Sequence, residues 1–361
     1  MSFQREREAT TEQEPKPKVL VTFHGYSHEP LNLQAVSHVK EHLKSHLERP
    51  SGGITFFWEM ASNSQEQAER TRKLVRERGV QSTIIFFNLL NRLGRTPTEM
   101  EVANQIEKIN SSTLGQIIGK RLLSPRLLQD FFIGKELDIL KRDYNFEFDC
   151  ESHTKNVLNI LARNGKQSEI CTNNANKMWN EGNLDGAIEQ LKMAYNFVHQ
   201  ITRSRDDELI QFLKRRIKTL KKEGGGLIFL LFGSAHEKVV SELQKKIDPK
   251  KLFLNSEIVK FIPLVDQLVL VFETPTDLMI SRAYIIEYFF HYLESKIFNL
   301  GAEEVNVENI AYNYGNIQAG INQVVRTLSV EEIQRLCERK TDIVEFLRKH
   351  PLASPIKHLI S

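Results

Sequence analysis

Two short apolar segments of the chain end in the same pattern, a glycine followed three residues later by a histidine. Residues 227–236 read LIFLLFGSAH and residues 19–28 read VLVTFHGYSH, which places His236 and His28 at equivalent positions. Apolar runs of this length are typical of parallel strands that are covered on both faces, and they are too short to cross a membrane. We therefore predict two buried strands, each with a histidine at its carboxyl end.

Strand and helix patterns alternate along much of the chain. The predicted elements are a strand at 18–23, an amphipathic helix at 30–48, a strand at 54–58, a charged helix at 65–79, a strand at 145–150, and helices over 170–222 with a break near 182–183. This alternation predicts an α/β fold with a mostly parallel central sheet and covering helices.

The composition and the order of the predicted strands and helices also divide the chain into regions. Residues 1–17 are polar and charged and are predicted to be a disordered tail. We expect the α/β core to span residues 18–240, with a helical insertion at about 80–142. Residues 241–361 are then a mainly helical C-terminal lobe with two strands before the helices. Its aromatic-rich segment, AYIIEYFFHYLESKIF, is a candidate for core packing or for a homo-oligomer contact.

Composition narrows the functional classes. The net charge of +3 is too small to favour nucleic acid or a membrane surface, and the three cysteines are widely spaced, without a zinc or disulfide motif. The N-terminus lacks the apolar region of a secretory signal. Neither a GxGxxG nor a GxxxxGK[ST] phosphate-binding loop occurs. We expect a cytoplasmic protein that binds neither nucleic acid nor membrane.

Three side chains that could carry chemistry stand at the predicted strand ends: His28, Glu59 and His236. In open α/β sheets, ligands bind in the crevice at the carboxyl ends of the strands. Two imidazoles and a carboxylate can bind a divalent metal and leave a coordination position open. The alternative is that both histidines only hydrogen-bond the strand ends. A second histidine series, His38, His42 and His46, lies beside an apolar helical stripe, and we interpret it as a solvated helix flank.

Four stretches together resemble the superfamily of TraB pheromone-shutdown proteins, Tiki proteases, erythromycin esterases and ChaN-like haem-binding proteins. They are GYSH (25–28), FFWEMA (56–61), RSRDDELIQFLKRRI (203–217) and LLFGSAH (230–236). The resemblance covers about residues 18–240. It implies an α/β core in which the two histidines and the glutamate face one cleft. The activities it implies are metal-dependent proteolysis, ester hydrolysis or haem binding.

On this resemblance we predict a hydrolase of ester or peptide bonds that acts on a small molecule or a peptide. The candidate cofactor is a divalent metal (Mn, Co or Zn), in preference to haem. A metal held by His28, Glu59 and His236 would activate water, whereas without metal a histidine would act as general base. The alternatives are a ligand-binding or regulatory protein without turnover, and an interaction protein that uses its C-terminal lobe.

Arg205 matches the arginine of the resembled superfamily. Its planar guanidinium can hold a carboxylate or stabilise an oxyanion, so we include it among the catalytic candidates. The alternative is an ordinary ion pair with Asp206 or Glu208 near the start of a helix.

The second glutamate of the superfamily has no fixed position in this chain. Erythromycin esterases and haem-binding members carry it directly after the first glycine, where this chain has Tyr26. Glu29, Glu147 and Glu151 are the candidates, and Glu29 is preferred because it adjoins His28.

Overall fold

The core of the fold is a parallel sheet, to which the described residues contribute five strands. The strands are β1 (Val19–Tyr26), β2 (Gly53–Trp58), β3 (Glu147–Cys150), β4 (Gly226–Gly233) and β5 (Leu252–Ile258), in the order β3-β2-β4-β1-β5. The central strand, β4, is buried along its whole length. The predicted α/β class with a parallel sheet is therefore confirmed. This computed structural model describes residues 19–26, 40–41, 44, 47, 52–59, 65–112, 116–117, 120–233, 236, 238–246, 252–258, 276–282, 285, 324–338, 345–346 and 348–351.

Helices cover both faces of the sheet. The helices of the described residues are α1 (Gln65–Arg78), α2 (Val80–Leu93), α3 (Glu99–Asn110), α4 (Pro125–Asp143), α5 (Lys155–Asn180), α6 (Leu184–Lys222), α7 (Lys238–Lys246) and α8 (Val330–Glu338). One face packs Phe56, Trp58 and Phe229 against α1 to α4, which places the region predicted as a helical insertion on that face. The other face packs Phe57 and Phe232 against α6 and α7.

The register of the strands sets which residues meet at the carboxyl edge of the sheet. Trp58 lies level with Cys150 on β3 and with Leu231 on β4. The residues that follow β2 and β3, Glu59 and Glu151, therefore emerge side by side. Parallel strands end at the same edge, so both carboxylates lie at the edge of the sheet where β4 also ends.

α5 and α6 form an antiparallel hairpin, as the break near residue 182 predicts. Asn183 caps α6 by accepting a hydrogen bond from the Gly186 N–H at 3.0 Å, and Asn164 donates to Gln200 across the hairpin at 3.0 Å. α6 has 39 residues, of which only the second half packs under the sheet. Arg205 consequently lies in the middle of a long helix rather than near its start.

The sheet continues beyond residue 240, where we expected the core to end. β5 pairs with β1 over Leu252–Ile258. Its sequence, LFLNSEI, includes three consecutive polar residues and lacks the apolar run that identified β4. The two strands predicted within 260–274 lie outside the described residues, as do the tail at 1–17, His38, His42 and His46, and nearly all of the aromatic-rich segment. The described parts of the C-terminal region, 276–282 and 324–338, are mostly helical.

Substitution of Gly226 by alanine is expected to lower the free energy of unfolding by about 2–3 kcal/mol. A Cβ at Gly226 would lie 2.3 Å from the Gly53 carbonyl oxygen, and that backbone oxygen belongs to the neighbouring strand. Gly94 is a matched control, because its φ is +66° but a Cβ there meets nothing within 4 Å. Gly94→Ala should cost about 1 kcal/mol. Urea denaturation measures both, and equal costs would contradict the predicted steric clash.

Candidate functional site

Glu59 joins the carboxyl ends of β2 and β4. Its backbone N–H donates to the Leu231 carbonyl at 3.0 Å, which extends the strand pairing by one residue. Its Oε2 accepts the Gly233 N–H at 2.5 Å. The side chain is buried, so these bonds fix the carboxylate at the sheet edge.

Arg205 connects the two strand-end carboxylates. Its Nε donates to Glu151 Oε1 at 2.9 Å, and its Nη2 donates to Glu151 Oε2 at 2.6 Å and also to Glu59 Oε1. Burial lowers the pKa of Arg205, but the Glu59 and Glu151 carboxylates outweigh it and raise the pKa above its usual range. Arg205 therefore remains a cation, and its partners are not the helical neighbours Asp206 and Glu208.

His236 lies between two carboxylates and is only 2% exposed. Its Nδ1 bonds Asp206 Oδ1, and its Nε2 lies 3.4 Å from Glu59 Oε1. Burial lowers the pKa of His236, but the Glu59 carboxylate and the hydrogen bond to Asp206 raise it to about 10. At neutral pH His236 is therefore an imidazolium that faces a carboxylate at each nitrogen.

Asp206 reaches His236 because it extends the buried stripe of α6. Ile210, Leu213, Ile217 and Leu220 follow it at helical spacing, and all of them are buried. An aspartate on this apolar face needs a partner, since a buried carboxylate without one is costly. His236 is that partner.

A second group of contacts holds the connection between β3 and α5. His153 Nε2 lies 3.4 Å from Glu151 Oε1, and its Nδ1 lies 3.2 Å from Glu208 Oε2. Glu208 Oε1 also accepts the Thr154 N–H at 3.0 Å. Thr154 caps the start of α5, so Glu208 fixes this connection to α6. It also holds His153 beside Glu151 Oε1, the oxygen that Arg205 Nε binds.

A cleft of about 730 Å³ borders this second group. It lies between the beginning of α5 and the middle of α6. Glu151, His153 and Glu208 line it on one side, and Phe57 and Phe212 form part of its apolar wall. The network therefore borders a space large enough for an organic ligand.

The structure brings together three of the four site residues predicted from sequence: Glu59, Arg205 and His236. His28 and Glu29 lie outside the described residues. Of the other two glutamate candidates, Glu151 belongs to the network. Glu147 lies at the opposite end of β3, where it is exposed and pairs with Arg216.

Sequence reasoning missed Asp206, His153 and Glu208 as members of the site. A usable signal existed for Asp206, which falls on the apolar stripe of α6, and for Glu151, which directly follows a strand as Glu59 does. No comparable sequence pattern identifies His153 or Glu208, because the contact between them depends on how α5 packs against α6.

The charges of the central network favour a cation as its ligand. The carboxylates of Glu59, Glu151 and Asp206 face the cations Arg205 and His236, which gives a net charge of −1. An anion entering the network would therefore be opposed by the overall charge.

Comparisons of the chain with protein-family models, with curated proteins and with solved structures found no match. Within the described residues, no helix is both long and apolar enough to cross a membrane. Over the same part of the chain, no three side chains of His, Cys, Asp or Glu are grouped so that they could hold a metal ion.

Proposed function

We propose that the protein hydrolyses an ester or a peptide bond, and that its fold and site are related to the superfamily of TraB, Tiki, erythromycin esterase and ChaN-like proteins. The reaction centre would comprise Glu59, Arg205 and His236, completed by His28. The observation that carries this proposal is the buried ionic network at the carboxyl edge of the sheet. Buried ion pairs seldom stabilise a fold more than apolar residues would, so a functional role accounts for them better.

The donor atoms of Glu59 and His236 fit a divalent metal. Two ligands at about 2.0–2.2 Å from a tetrahedral ion lie roughly 3.3–3.6 Å apart. His236 Nε2 and Glu59 Oε1 are separated by 3.4 Å. Asp206 on Nδ1 would orient the imidazole, as carboxylates do for metal-bound histidines. Without the Nε2 proton of His236, the central network has a net charge of −2, which would balance a divalent ion.

Such an ion would lower the pKa of a bound water and polarise a carbonyl group. His28 is the proposed third ligand. Mn, Co and Zn remain the candidate metals, and haem is less suited, because the described donors lie in a buried, closely packed network.

Arg205 can contribute to substrate binding. Its Nε and Nη2 bind Glu151 and Glu59, whereas its Nη1 makes no hydrogen bond with any described residue. A fixed guanidinium N–H of this kind can stabilise the negative charge that develops on a carbonyl oxygen during hydrolysis. When no metal is bound, the imidazolium of His236 can donate a proton to the leaving group.

One observation favours a second candidate function, the binding of a metal, haem or small molecule without turnover. Both nitrogens of His236 face carboxylates, so His236 is not a free general base in this arrangement. A regulatory or ligand-binding protein would have no need of such a base.

The test combines metal analysis of the purified protein with a panel of ester and peptide substrates, assayed with and without Mn, Co or Zn. We expect Glu59→Gln and His236→Ala each to lower hydrolysis about a hundredfold. Glu147→Gln, which alters the exposed glutamate at the other end of β3, is the control and should retain full activity.

Undiminished hydrolysis in His236→Ala would refute the catalytic proposal. Stoichiometric binding of a metal or ligand without hydrolysis of any substrate would instead favour the second candidate.

A further inference from the structure

The cleft beside Glu151 has opposite charges at its two ends. Asp207 and Glu208 line one end, and Arg215 lies seven or eight residues further along α6. That spacing along a helix corresponds to about 10–12 Å. Two helical turns therefore separate an acidic end, next to the ionic network, from a basic end.

The charged groups at both ends are available to a ligand. The side chains of Asp207 and Arg215 are exposed, and neither makes a hydrogen bond or ion pair with a described residue. Glu208 differs, because His153 and the Thr154 N–H hold its carboxylate in place. The acidic end thus combines one fixed carboxylate with one unpaired carboxylate.

The wall between the two ends is apolar. The Phe57 and Phe212 rings lie 4.4 Å apart, and Val157, Ile160 and Leu209 continue the same surface. The volume of about 730 Å³ lies in the range typical of small-ligand sites. Such a wall suits an aromatic or aliphatic side chain.

We propose that this cleft binds a short peptide of about three residues, which in extended form spans roughly 10 Å. Its N-terminal ammonium group binds Asp207 and Glu208, its C-terminal carboxylate binds Arg215, and an apolar side chain packs against Phe57 and Phe212. A purely anionic ligand would be repelled at the acidic end, and a purely cationic one at Arg215. This binding proposal rests on the proposed function at one point, because the bound peptide would also be the substrate of the hydrolysis.

Isothermal titration calorimetry in EDTA, which removes divalent metal ions, measures peptide binding in the absence of turnover. The probes are the tripeptide alanyl-phenylalanyl-alanine, its N-acetylated form and its C-terminal amide. We expect each blocking group to weaken binding to the wild type about fivefold, the upper end of the range for an exposed ionic contact. Acetylation should have a smaller effect in Asp207→Asn, in which Glu208 alone remains to bind the ammonium group, and amidation should have none in Arg215→Gln.

Two further variants serve as controls, Glu147→Gln on β3 and Arg142→Gln on α4, because both residues lie outside the cleft lining. They should bind all three peptides as the wild type does. Equal affinity of the wild type for the three peptides, or no saturation below about 10 mM, would overturn the proposal. Binding with both blocking effects but without hydrolysis would support the cleft proposal and count against peptide hydrolysis.

Discussion

Replacing Arg205 by methionine is expected to lower the free energy of unfolding by about 3–5 kcal/mol, because it removes the guanidinium that binds two buried carboxylates. Glu59 and Glu151 are 8% and 5% exposed, so water cannot replace the guanidinium. Methionine has a similar length and no charge, so the variant removes the ion pairs and keeps much of the packing. Urea denaturation at pH 7 gives the difference in unfolding free energy.

Arg216 provides a matched control on the same helix. It binds Glu147 at the other end of β3, but Glu147 is 62% exposed, and Arg216→Met should therefore cost about 1 kcal/mol. Adding Glu151→Gln to Arg205→Met should recover part of the lost stability, since it removes one of the two buried negative charges that Arg205 binds in the wild type. Similar costs for the two arginine variants would show that the network is not a coupled buried unit.

The central part of the fold could be predicted because its sequence pattern has a single physical interpretation. A run such as LIFLLF is buried on both faces only in the middle of a parallel sheet, and β4 lies there. The same pattern identified β1 and β2 as strands, and the structure places them on either side of β4. β5 could not be recognised in this way. Among the described residues it pairs with β1 alone, and the edge position in this sheet tolerates the polar residues of LFLNSEI.

The candidate site was only partly predictable for a related reason. Strand ends fix the positions of Glu59 and Glu151 along the chain, so a search for acidic residues directly after strands finds both. The contacts of α6 depend on tertiary packing. Arg205 could have paired with its helical neighbours, and only the position of α6 under the sheet directs it to the strand ends. Asp206 and Asp207 are adjacent in sequence. Only the position of the apolar stripe along α6 shows which of the two is buried.

The stability of the metal-free protein is expected to fall as pH rises from about 6.5 to about 10, because His236 must lose its proton in this range. Its pKa is about 10 in the folded protein, against about 6.5 in an unfolded chain. The stabilisation by charged His236 is therefore complete below pH about 6.5 and is lost progressively above it. The free energy of unfolding should fall with a slope that approaches roughly 1.4 kcal/mol per pH unit, which amounts to about 3 kcal/mol between pH 6.5 and 9.

The His236→Gln variant isolates the contribution of His236. The free energy of unfolding of this variant and of the wild type is measured by urea denaturation in EDTA across this pH range. Cys150 and Cys337 also contribute in alkaline solution, since burial raises the pKa of each thiol to about 12. Their contribution is the same in both proteins and cancels in the difference. The wild type should exceed the variant by a margin that shrinks steadily as pH rises. A constant margin would mean that His236 is not held as an imidazolium between Glu59 and Asp206, and the net charge of −1 assigned to the central network would then be wrong.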